Sequence, residues 1–313
     1  MLKKTGGSTM SNRRTFIKQS VLGTGTLSLG MFPTQLFASG ELERLTVMHT
    51  NDMHYHIDPF PPTDAEYAGR GGMIRLASIV ARARKEYPNL LLLDGGDMFQ
   101  GTPYFNYFQG DLILKLMSRM GYDAGTLGNH EFDNGLPTID KALQHALFPL
   151  VTSNYDFRDT QLSGQIKTHQ IVQKGGIKIG IYGLGIDPGG LVDPRNFGSA
   201  RYLDPLQTAL KTEELLKKEY SCDLVIALSH LGLEYEHAKI SDTTLAPQTR
   251  YTDLIVGGHT HSFMNKPLEL KNADGRMILV NQAGWGTLAT GIIEFVFDRR
   301  GKGKRFTAVV NNL

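Results

Sequence analysis

The chain has 313 residues, 41% hydrophobic and 20% charged, an ordinary globular balance with length enough to bury a sizeable core. Its formal net charge of +2 comes from the first 40 residues, where every charge is positive (Lys3, Lys4, Arg13, Arg14 and Lys18); the remainder holds 28 basic and 31 acidic residues. A bulk-basic nucleic-acid binder is thereby excluded, and the single cysteine, Cys222, excludes an intrachain disulfide and a cysteine-rich zinc motif.

The segment Ser11-Asn-Arg-Arg-Thr-Phe-Ile-Lys18 runs into a weakly apolar stretch, Val21 to Phe37, then small residues at Ala38-Ser39-Gly40. This resembles a twin-arginine export signal, with Met10 as an alternative start. The stretch is too short and too polar for a membrane-spanning helix, so no stable membrane anchor is expected. Residues 1–40 are therefore expected to be an export signal and 41–313 one domain, placed in the periplasm or outside the cell.

Short apolar runs then alternate with amphipathic stretches. Leu45 to His49 reads as a buried strand. Met73 to Lys85 reads as a helix with Ile74, Ala77, Val80 and Ala81 at helical spacing. Leu90 to Asp94 is a strand, Leu112 to Met120 a helix stopped by Gly121, and Tyr122 to Leu127 a third strand. Leu136 to Leu147 is a helix with Pro137 in its first turn. Gln170 to Gln173 and Ile177 to Tyr182 form a hairpin through Lys174-Gly-Gly176. Pro205 to Tyr220 is a long helix, and Asp223 to Leu228 and Asp253 to Val256 are strands. Met277 to Asn281, Thr290 to Phe297 and Phe306 to Val310 are strands without clear helices between them. The pattern is that of an α/β body whose sheets are mixed and covered by helices.

The acids and histidines fall where these strands end: Asn51-Asp52-Met53-His54, Asp94-Gly95-Gly96-Asp97, Gly128-Asn129-His130-Glu131-Phe132-Asp133, Ser229-His230 and Gly257-Gly258-His259-Thr260-His261. In α/β sheets, ligands bind beyond the carboxyl ends of strands. Asp-x-His and His-x-His place two ligands on one side of an extended segment. Imidazole mixed with carboxylate suits zinc, manganese, cobalt or iron rather than calcium. Seven candidates (Asp52, His54, Asp97, Asn129, His230, His259 and His261) exceed one closed tetrahedral site and suit two ions sharing a carboxylate, for which Asp97 is the natural bridge.

NDMH, GGD, GNHEFD, SH and GGHTH, together with the late VNQAGWGT, resemble the calcineurin-like metallophosphoesterases and, more narrowly, the amino-terminal domain of bacterial 5′-nucleotidases. The likeness runs from Leu45 to about Phe297. It implies a four-layer α/β/β/α sandwich of two mixed sheets. It implies one metal on Asp52, His54, Asp97 and His261, and a second on Asp97, Asn129, His230 and His259. His261 departs from several 5′-nucleotidases, which have Gln there. The resemblance also implies a catalytic pair, His130 stabilising or protonating at the phosphoryl group and Asp133 orienting its ring. Hydrolysis of phosphate monoesters, expected to be 5′-nucleotides, would then use a metal-activated water.

Nucleotidases of this branch carry a second, carboxy-terminal domain that recognises the nucleoside. The chain stops at Leu313, so either a separate polypeptide carrying that domain is the expected partner, or this domain acts on a looser range of phosphoesters; the first is favoured. The enzymatic alternatives are a cyclic-nucleotide phosphodiesterase or a related thiohydrolase. From another class comes a non-enzymatic binding subunit, which expects lost ligands; none is lost. Outside the set, His49 reads as a buried group, Glu131 as structural, and Cys222 as a small buried residue. His145, His169 and His237 read as surface residues. Phe99, Tyr104, Phe105, Tyr107 and Phe108 are divided between core packing and a substrate platform.

Overall fold

The computed structural model describes residues 42–298 and the backbone of 303–312; the expected export segment lies outside the described residues. The strands are β1 (Leu42–Thr50), β2 (Leu90–Asp94), β3 (Ala124–Gly125), β4 (Tyr155–Asp156), β5 (His169–Lys174), β6 (Ile177–Leu184), β7 (Arg201–Tyr202), β8 (Leu224–Ser229), β9 (Leu254–Val256), β10 (Leu268–Lys271), β11 (Met277–Asn281), β12 (Ala289–Asp298) and β13 (Gly303–Asn312). The helices are α1 (Met73–Glu86), α2 (Pro103–Phe108), α3 (Asp111–Met120), α4 (Leu136–Leu143), α5 (Pro194–Phe197), α6 (Pro205–Glu214) and α7 (Asp242–Leu245).

One sheet runs β13-β12-β1-β2-β3 and the other β10-β11-β9-β8-β6-β5; β4 and β7 pair separately. Both large sheets are mixed. In the first, β1, β2 and β3 are parallel, β12 is antiparallel to β1, and β13 is antiparallel to β12. In the second, β11, β9, β8 and β6 are parallel and the two edge strands antiparallel.

Period-two alternation makes the layers. Leu45, Val47, Leu91 and Leu93 of the first sheet share one core with Ile179, Ile181, Leu224, Ile226 and Leu228 of the second. The alternate residues face outward under helices. Met48, Leu90 and Leu92 pack against α1, α3 and α4. Tyr182, Val225, Ala227 and Ile255 pack with Ala209 of α6 and Leu245 of α7. The four-layer α/β/β/α sandwich expected from the sequence is the observed architecture. Each such leucine contributes about 1.5–3 kcal/mol by leaving water. Among the described residues, no helix is long and apolar enough to cross a membrane.

One buried face and two boundaries depart most from the sequence expectation. The buried face of α1 is Met73, Leu76, Val80 and Ala83, while Ile74 is 84% exposed. The larger Met73 and Leu76 fill the space over the first sheet, rotating the helix by about one residue step. The third strand keeps only Ala124 and Gly125 in the ladder, because the chain then leaves the sheet to form the loop through Asn129. The helix expected to reach Leu147 ends at Leu143 and unwinds into tighter turns at His145 and Ala146. Gly121 does stop α3: its φ of 75° is left-handed, and its N–H caps the carbonyls of Met117 and Ser118.

Candidate metal centre

The loops after β1, β2, β3, β8 and β9 bring all seven sequence-predicted ligands together. His54 Nε2 lies 2.9 Å from His261 Nε2, and His261 Nε2 lies 3.4 Å from Asp52 Oδ1. Asp97 Oδ2 lies 3.0 Å from His230 Nε2 and 4.0 Å from His54 Nε2. His259 Nδ1 lies 3.0 Å from Asn129 Oδ1. Three groups have donor atoms close enough to share an ion: Asp52, His54 and His261; Asp97, His230 and His259; and, between them, His54, Asp97 and His130. Asp97 thus stands where the two halves meet.

The pleat is not what aims these side chains. Five of the seven, Asp52, His54, Asp97, His259 and His261, have φ between 45° and 74°. Non-glycine residues pay about 1–3 kcal/mol for such backbone. The ligands leave the strands before they converge, so the extended geometry expected for Asp-x-His and His-x-His is replaced by left-handed turns. Close approach is the second device. A Cβ on Gly128 would stand 2.1 Å from Asp97 Oδ1 and 2.6 Å from His230 Nε2. Only glycine lets that backbone pass behind the ligands.

Hydrogen bonds hold the strained loops. The Asp52 carboxylate accepts from Asn51 Nδ2 at 2.6 Å and from the His259 N–H at 3.0 Å. Asp97 Oδ1 accepts from the His130 N–H at 2.9 Å. Glu131, fully buried, accepts four backbone N–H groups, from Asp97, Met98, Phe99 and Gly128, at 2.6–3.1 Å. It ties the Asp97 loop to the Asn129 loop, the structural role expected of it. His230 Nδ1 donates to the Gly95 carbonyl at 2.8 Å. That bond turns Nε2, which is fully buried, toward Asp97 Oδ2 3.0 Å away.

The donor set fits a divalent pair. Burial holds His54 and His259 below the usual imidazole range, His259 at about 4, which favours the neutral ring that metal ligation requires. Burial alone would raise the Asp97 carboxyl, but the His230 and His54 rings pull it below the usual carboxylate range. Burial opposes a charge on His230, yet the facing Asp97 pushes that ring up to about 10.

His130 and Asp133 form the expected pair, Nδ1 to Oδ2 at 2.8 Å. The Asp133 hydrogen bond raises the His130 ring to about 9, against the opposing effect of burial. Both remain partly open to solvent. His130 also stands edge-on to His54, ring centres 5.3 Å apart, at the edge of the same cluster.

Sequence reasoning did not single out Trp285. Its ring stacks on His261 at 5.5 Å and 9°, and stands edge-on to His56 at 5.3 Å. The only signal was its place in VNQAGWGT. The aromatic run after Asp97 divides: Phe99 and Phe105 are core, whereas Tyr107 is 84% exposed. Tyr104, Tyr107 and Phe108 line a groove of about 420 Å³ with His56, Asp58 and Phe60. His49 and Cys222 are buried as expected, and His237 is exposed. His145 and His169 are half-buried, against Asp111 and Tyr220.

The model of the calcineurin-like phosphoesterases matches residues 45–263. The snake venom 5′-nucleotidase of Gloydius brevicauda is 32% identical over 285 residues, 84% of this chain and 47% of that protein. The 5′-nucleotidase of Rattus norvegicus is 32% identical over 287 residues, 85% of this chain and 48% of that protein. The crystal structure of a 5′-nucleotidase precursor from Thermus thermophilus superposes with a TM-score of 0.75 at 34% identity, covering 86% of this chain and 55% of that one. The chain therefore spans about half the length of the curated relatives it matches. With the matched segment carrying every candidate ligand and both catalytic candidates, the chain belongs to the calcineurin-like phosphoesterase family.

Proposed function

We propose that this domain hydrolyses phosphate monoesters, with 5′-nucleotides as the substrate class, at a centre of two divalent ions. The observation that carries the reading is the pair of three-residue clusters meeting at Asp97. In this reading Asp52, His54, Asp97 and His261 hold one ion, and Asp97, Asn129, His230 and His259 the other. Two ions so held would lower the pKa of water and clamp the attacking and leaving oxygens of a phosphoryl displacement.

The chain's own groups do the rest. His130, kept protonated by Asp133, places a positive N–H edge beside the phosphoryl oxygens and can pass a proton to the leaving alkoxide. Glu131 keeps the Asp97 and Asn129 loops at a fixed separation. Trp285 shields one face of His261 from water.

The nucleotide assignment rests on the 5′-nucleotidase relatives, of which this chain aligns with about half. A companion polypeptide that selects the nucleoside is part of the proposal, as is export through Arg13 and Arg14 to the periplasm or beyond. The test is turnover of p-nitrophenyl phosphate, its bis ester and AMP by the purified protein with Mn²⁺, Zn²⁺ or Co²⁺. Monoester turnover is expected to exceed diester turnover. Faster diester turnover overturns the monoesterase reading, and no turnover with any ion overturns the enzyme reading. AMP turnover is expected to be slower without a nucleoside-selecting companion than with one; full AMP activity of the isolated chain removes the companion.

A further inference from the structure

Two metal-ligand candidates, His259 and His261, alternate with Gly258, Thr260 and Ser262. The alternating residues are all tied to one buried side chain. Gln282, fully buried just beyond β11, donates from Nε2 to the Gly258 carbonyl at 2.8 Å. Its Oε1 accepts from Thr260 Oγ1 and from the Ser262 N–H, both at 3.1 Å. The orientation of the amide follows from its neighbours: an N–H can only donate and a carbonyl can only accept.

The second Nε2 hydrogen points to Asp242 Oδ2 at 3.4 Å. Asp242, also fully buried, accepts from Ser229 Oγ at 2.5 Å through its other oxygen. Ser229 directly precedes His230. One buried network, Gln282–Asp242–Ser229, therefore runs beneath three ligands on two strands' loops.

We infer that Gln282 is a positioning residue for the metal centre. By holding residues 258, 260 and 262 inward, it turns 259 and 261 outward. Both of those have left-handed backbone, with φ of 74° and 53°, which the loop does not keep without external anchors. Gln282 touches neither ion nor substrate in this account. The inference rests on the metal-centre reading above.

The experiment compares parent, Gln282→Leu, Thr260→Val and Thr290→Val proteins for Co²⁺ affinity by chelator competition, visible Co²⁺ spectrum, and melting temperature in chelator. Thr290 is a buried control whose Oγ has no hydrogen-bond partner. Gln282→Leu is expected to bind Co²⁺ about 10- to 100-fold more weakly, with an altered spectrum. Thr260→Val, which removes the bond to Gln282 together with those to Ser262 Oγ and the Leu233 N–H, is expected to lose about 3- to 10-fold in the same direction. Thr290→Val is expected to match the parent in affinity and spectrum. A merely structural Gln282 would lower the melting temperature alone. Parent-like affinity and spectrum in a folded Gln282→Leu protein overturn the inference; should that variant not fold, parent-like Thr260→Val does so. A parent that binds no Co²⁺ overturns the metal-centre reading, and this inference with it.

Discussion

Replacing Gly128 by alanine adds one carbon at the most crowded point of the centre. The added Cβ would stand 2.1 Å from Asp97 Oδ1 and 2.6 Å from His230 Nε2. Ordinary contact begins near 3.4 Å, so the Asp97 oxygen must retreat by about 1.3 Å. That movement stretches its 2.9 Å bond from the His130 N–H and shifts the carboxylate both ions would share. A misplacement of about 1 Å at a reacting centre costs about 100-fold in rate, equivalent to about 2.7 kcal/mol. Overpacking adds a stability loss of about 1–3 kcal/mol. At this chain length that lowers the melting temperature by about 2–5 °C. The assay is kcat/KM on p-nitrophenyl phosphate at saturating Mn²⁺, with the melting temperature recorded in chelator. Gly189→Ala is the control, because its added carbon meets only the flexible Asp187 side chain. A Gly128→Ala protein within about 3-fold of the parent in kcat/KM, a loss of under about 1 kcal/mol, would refute the reasoning from close packing.

His130→Asn is expected to lower kcat by about 10²–10⁴ while retaining both ions, checked by steady-state kinetics and metal analysis of one preparation. Asp133→Asn replaces the charged acceptor that raises His130 to about 9 by a neutral amide, so the alkaline limb of kcat is expected to move toward lower pH. The sign for stability agrees. A ring raised from 6.5 to about 9 stabilises the fold below 6.5 and loses that contribution as pH rises to about 9. The Asp133→Asn melting temperature is therefore expected to depend less on pH across that window. Changing Arg13 and Arg14 together to Lys is expected to leave the protein in the cytoplasm, measured by cell fractionation; unchanged export contradicts the signal reading.

The layers were legible because the buried strands announce themselves. Leu90-Leu-Leu-Leu93 and Leu224 to Leu228 are apolar on both faces, and strands covered on both faces leave no polar positions. The seven ligand candidates were legible because they cluster in the short loops after strands. What the sequence hid is conformational. Left-handed φ at Asp52, His54 and His261 is only weakly marked by residue type: Asp and His are enriched in that region, but glycine is its usual sign. The true face of α1 was misplaced because Ile74 and Met73 are both apolar neighbours, and only the packing against the first sheet chooses between them. Trp285 and Gln282 come from a segment far from the ligand motifs in sequence. Their roles depend on β11 pairing with β9, a contact that periodicity does not encode.

The central claim is a centre of two ions, and the number of ions bound tests it most directly. Metal-free protein equilibrated with Mn²⁺, separated from free ion and analysed for metal and protein content is predicted to carry two Mn²⁺ per chain. A value of one, or none, would contradict the account.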